Sequence, residues 1–69
     1  MKPSEIVDRA RVAAKDWLAL NGHRELSEKV LLEAFRAAVP SRERTPGDDI
    51  VFRATFVANV TRMKAEKRA

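Results

Sequence analysis

Cysteine is absent from this 69-residue chain. No disulfide framework can staple it, and no thiolate can hold a metal. Histidine occurs once, at His23, in a loop-like stretch with no second ligand of its kind. A metal site or an acid–base pair needs partners that converge, so His23 reads as a solvated loop residue. Glycine occurs only at Gly22 and Gly47, far apart. No glycine-rich phosphate loop with its lysine is present, and no acidic strand end for Mg²⁺ is visible. Every apolar run is broken by charges and falls short of the roughly 20 residues a membrane span requires. Glu5 and Asp8 follow Pro3 closely, which is no secretory pattern. No serine or threonine has a base beside it. A cytoplasmic protein without catalytic activity, metal or membrane contact is therefore the expectation.

A chain this short makes one small domain and buries only about 60% of its unfolded surface, so its stability is marginal. The net charge is +4, and its distribution matters more than its size. Arg62, Lys64, Lys67 and Arg68 stand against Glu66 alone, so the C-terminal stretch carries most of the excess. That is a basic tail on a nearly neutral body.

Three amphipathic segments follow one another, with no internal repeat. In the first, about Ser4 to Asn21, Ile6, Ala10, Ala13, Trp17 and Leu20 recur at helical spacing. Ser4 is the expected N-cap, Glu5 suits the first turn, and Gly22 supplies a left-handed C′ position. The second runs from Ser27 to Ala38, capped by Ser27 and stapled by Leu26 onto Leu31, and Pro40 stops it. Its apolar set spreads beyond one stripe, with Leu32 and Val39 left over, so a partner surface is expected there. The third runs from Pro46 to about Lys67, with Thr45 as N-cap and Asp48 as the acidic partner of a capping box. Its β-branched residues lend it some strand character, but caps and period favour helix. Asp48 and Asp49 point about 100° apart on a helix and do not form a metal pair. The fold class is all-α: three helices packed around Ile6, Ala10, Trp17, Val30, Ala34, Phe35, Ile50, Phe56 and Val57.

The order of motifs resembles a known arrangement. Pro3-Ser4-Glu5-Ile6 begins a helix with an Ala-rich body, Ala10 to Lys15. Leu26-Ser27 and Leu32-Glu33-Ala34-Phe35 follow, then Pro40-Ser41, then Asp48, Phe52 and Phe56. This resembles the C-terminal helical lid of classical AAA+ ATPases, the group of proteasomal, katanin-like and cell-division-cycle unfoldases. The resemblance implies a lid that closes over ATP and Mg²⁺ bound by the rest of the module. It also implies packing against neighbouring subunits, in a homo-hexamer for the parent. Pro3 and Ser4 resemble positions where the lid backbone nears the nucleotide. The family's glycine ahead of this motif is missing, with Met1-Lys2 in its place, and the chain is expected to continue upstream of Met1.

On this reading Val12, Leu32 and Val39 form the interaction surface, with Leu32 and Val39 partly exposed and mediating weak self-association. The rival reading is a freestanding basic helical regulator that binds DNA or a host protein. Its nucleic-acid contacts would be Arg42, Arg44, Arg62, Lys64, Lys67 and Arg68. A third reading is a helical oligomerisation or adaptor module.

Overall fold

Proline cannot donate a backbone hydrogen bond, and its fixed φ suits the first position of a helix. Pro3 takes that position. The computed structural model describes residues 2–21 and 24–68, the last two as backbone alone. Helix α1 spans Pro3–Asn21, and the Lys2 carbonyl accepts the Glu5 and Ile6 N–H groups at 3.0 and 3.2 Å. Ser4, the expected N-cap, therefore lies inside the helix. The Gly22 turn and His23 lie outside the described residues. Helix α2 spans Glu28–Ala38. Ser27 caps it as expected, its hydroxyl accepting the Val30 N–H at 3.3 Å. A 3₁₀ turn follows at Ser41–Glu43, then helix α3 at Asp48–Arg68. No strand occurs among the described residues.

The start of α3 differs from the capping box the sequence suggests. The Thr45 carbonyl accepts the Asp48 N–H at 3.1 Å, and Gly47 has φ of 93°. Proline then glycine with positive φ at the centre of such a turn is the type II pattern. Thr45-Pro46-Gly47-Asp48 is thus a turn before the helix, and α3 begins two residues later than expected. One half of the capping box is kept, the bond from the Thr45 N–H to the acidic side chain, but the Thr45 hydroxyl donates to that carboxylate instead of accepting a backbone N–H. The Asp48 carboxylate accepts the Thr45 N–H and the Thr45 hydroxyl, each at 2.8 Å. Asp48 is buried, yet these two bonds hold its carboxyl below the ordinary value of 3.8, against the opposing effect of burial.

The core joins Ile6, Ala10 and Ala14 of α1, Val30, Leu31 and Phe35 of α2, Val39, and Phe52, Phe56 and Val60 of α3. Helix α1 packs mainly on α3, and α2 touches both only lightly. The aromatic rings form one continuous row. Phe35 meets Phe52 edge-on at 5.3 Å, Phe52 stacks on Phe56 at 5.8 Å, and Phe56 meets Trp17 edge-on at 6.2 Å. A cation lies over each end: Arg44 on Phe35 at 5.0 Å and Lys64 on Trp17 at 5.6 Å.

Of the expected core residues, Trp17 and Ala34 are partly buried against it, and two others lie outside. Ile50 is 69% exposed and Val57 37% exposed. Helix α3 is apolar on two faces, and the face with Phe52 and Phe56 turns inward because it offers more area to bury. Arg62 and Lys64 of the basic stretch belong to the last turns of α3, as the expected helix to about Lys67 implies.

Phe56→Ala is expected to cost about 3–5 kcal/mol, enough to unfold most of a chain this small, whereas Ile50→Ser should change stability by about 0.5 kcal/mol or less. Urea titration followed by Trp17 fluorescence measures both. The lowered carboxyl of Asp48 stabilises the fold fully above its ordinary value, and that stability is lost as pH falls through the lower folded value. Melting temperature against pH should therefore fall in acid for the natural chain. Asp48→Asn should start lower at neutral pH, and the two curves should converge in acid.

Candidate functional site

Helices α1 and α2 give their bulkiest apolar side chains to α3. What remains between them is mostly alanine: Ala13 on α1, and Ala34, Ala37 and Ala38 on α2. Side chains that short leave the space between the two helices open. The result is a groove of about 670 Å³. Val12, Ala13, Trp17, Ala34 and Ala37 make its apolar walls, and Asp8, Asp16 and Glu33 stand along its rim. Val12 is 60% exposed here. Trp17 is half-buried, with its ring packed on Phe56 and its remaining surface turned to the groove.

Arginines stand at both ends of the groove. Arg9 donates to the Ala38 carbonyl at 2.9 Å and to Glu43 at 3.4 Å. The Arg24 guanidinium donates to the Asn21 side chain at 3.4 Å. The Arg9 bond carries a cation to the carbonyl end of α2, where the helix dipole favours positive charge. Arg44 does the same from the other side, its Nε donating to the Val39 carbonyl at 2.9 Å. Two arginines thus hold the end of α2 to α1 and to the linker. Neither role was legible in the sequence, because both partners are backbone carbonyls distant from, or unrelated in pattern to, the arginine.

A smaller hollow of about 260 Å³ lies between α2 and α3, lined by Leu31, Leu32 and Phe35 and bordered by the Arg53–Glu28 ion pair. Leu32 is 49% exposed there, as expected. Val39 is not exposed at all. It follows the last turn of α2 in an extended conformation, its N–H bonded to the Phe35 carbonyl, so helical spacing no longer governs where its side chain goes. Val39 is therefore no part of an exposed surface.

Among the described basic residues, Arg44 and Lys64 lie far apart. Arg44 is engaged at the start of α3, whereas Lys64 donates to the Arg24 carbonyl at 2.9 Å near its end. Sixteen residues of helix separate Asp48 from Lys64, roughly 24 Å. Arg42 is exposed in the 3₁₀ turn, and Arg62 is bonded to Asn59 at 2.8 Å. The side chains of Lys67 and Arg68 lie outside the described residues. Pro3 and Ser4 are exposed at the start of α1. Among the described residues no group of three or more His, Asp or Glu could hold a metal ion. None of the helices described is long and apolar enough to cross a membrane. The Ser27 and Thr45 hydroxyls are occupied by the cap and the turn. What the surface offers is an apolar trough with an acidic rim, suited to a helix laid along it.

Val39→Glu should unfold the chain by burying an unpaired carboxylate, at a cost of several kcal/mol. Leu32→Glu should cost about 1 kcal/mol or less. Circular dichroism melts of the two variants check the reassignment of Val39. Comparison with known protein families, with curated proteins and with solved structures returns no match.

Proposed function

We propose that this chain is a non-catalytic helical interaction module that receives a helix in the groove between α1 and α2. The observation that carries the reading is the groove itself. A chain of 69 residues has little apolar surface to spare, yet it leaves Val12, part of Trp17 and Ala37 uncovered in one trough.

The finer form of the reading follows the residue resemblance. It makes the chain the lid subdomain of a classical AAA+ ATPase, packed against the rest of its module and a neighbouring subunit of a homo-hexamer. The order of Pro3-Ser4-Glu5-Ile6, Leu32-Glu33-Ala34-Phe35 and Pro40-Ser41 supports it. ATP and Mg²⁺ would be held by that parent. Pro3 and Ser4 are exposed at one helix start, with no phosphate loop or acidic pair in the chain to complete a nucleotide site. The nucleic-acid reading draws less support, because Arg44 and Lys64 are committed to backbone carbonyls at opposite ends of α3.

The groove should take up a neutral apolar dye such as Nile red, with quenching of Trp17, the chain's single tryptophan. Ala37→Glu, an exposed change in the groove wall, should abolish uptake, and Leu32→Glu should not. A folded natural chain that takes up no dye overturns the reading. So does steady ATP turnover by the purified chain, or tight duplex-DNA binding that falls steeply as salt rises.

A further inference from the structure

We infer that the occupant of the α1–α2 groove is the outer face of α3 from a second copy of this chain, so that copies join head to tail. This rests on the reading of the groove as an interaction surface and names its partner. Helix α3 is apolar on two opposite faces. One buries Phe52, Phe56 and Val60. The other carries Ile50, Ala54, Val57, Ala58, Thr61 and Ala65, all exposed and recurring at helical spacing.

Stripe and groove match in length. From Asp8 to Asn21 the groove follows α1 for roughly 20 Å, and from Ile50 to Ala65 the stripe runs roughly 22 Å. They match in depth, because Ala54 and Ala58 let the backbone of α3 sit close to walls made by Ala13, Ala34 and Ala37. They also match in charge along the groove's flanks, between the arginines at its two ends. Asp8, Asp16 and Glu33 stand on the groove's rim. By helical position Arg53 flanks the stripe on one side and Arg62 on the other, whereas Lys64 is held by the Arg24 carbonyl of its own chain. The pairs that Arg53 and Arg62 make within the chain, with Glu28 and Glu66, involve side chains exposed by 41% to 82%. Such pairs are weak and readily exchanged for others.

The two surfaces cannot meet within one molecule. Helix α3 turns toward α1 the face opposite the stripe, so its own groove is out of reach. A contact between two different patches is heterologous, and each bound copy leaves one groove and one stripe open for the next.

Sedimentation equilibrium tests this. The natural chain should show a mass that rises with concentration and falls back when salt is added. Ala37→Glu blocks the groove and Ala54→Glu blocks the stripe; both positions are exposed, and unchanged melting curves certify the fold. Val12→Glu is the second groove variant. Each variant alone should remain monomeric. Groove and stripe variants mixed should form a 1:1 dimer and nothing larger, since together they retain one intact groove and one intact stripe. A monomeric natural chain overturns the proposal, as does association that the mixed variants fail to restore. If the natural chain stays monomeric while its groove still takes up Nile red, the copy is the wrong partner and the groove reading stands. If the dye also fails, both fall.

Discussion

The row of rings from Phe35 through Phe52 and Phe56 to Trp17 is the constraint on which the other features depend. It uses every aromatic side chain in the protein and takes at least one from each helix. Edge-to-face and offset pairs add about 0.5–1.5 kcal/mol each beyond the area they bury. In a domain of marginal stability, three such contacts in series decide which helix faces which. Arg44 and Lys64 extend the row at its ends, and each also donates to a backbone carbonyl outside the helices. The same two cations therefore tie the aromatic row to the linkers.

The open groove follows from that allocation. Two of the four rings sit on α3, so α1 and α2 both turn toward it. The aromatics on α3 are accommodated by Ala10 and Ala14 on α1, which are fully buried and small enough to let the two helices close. Between α1 and α2 mostly alanines remain, and Trp17, packed on Phe56, lines the space without filling it. Arg9 and Arg44 hold α2 by its carbonyl end, beside the packing of Val30, Leu31 and Phe35 in the core. A helix held at one end and packed lightly along its flank leaves a trough. The apolar outer face of α3 arises in the same way, because once the face bearing Phe52 and Phe56 is inside, Ile50 and Val57 have nowhere to go but out.

Much of the fold was legible in the chain. The periodicity of Ile6, Ala10, Ala13 and Trp17 marked α1, although Leu20 of the same stripe is exposed; the Ser27 cap marked α2, and the all-α class followed from three such segments. Periodicity failed where the helix stopped. Val39 lay off the α2 stripe in the sequence, yet its extended backbone returns its side chain to the core. Thr45-Pro46-Gly47-Asp48 fits both a capped helix start and a type II turn. The positive φ of Gly47 chose the turn, and residue types alone do not reveal φ. Of the candidate site, Val12 and Leu32 were legible as apolar residues off their stripes. The groove was not, since alanine is as common in cores as on surfaces.

Local composition determined that three helices form, where α2 begins, and that the chain has no cysteine-based staple or phosphate loop. Those properties depend on neighbours within a few residues, through capping, helical propensity and spacing. Tertiary packing alone decided which face of α3 turns inward, which arginines are spent on carbonyls, and that α1 and α2 stand apart. These depend on competition among surfaces distant in sequence, and the aromatic rings win that competition because they bury the largest area per residue.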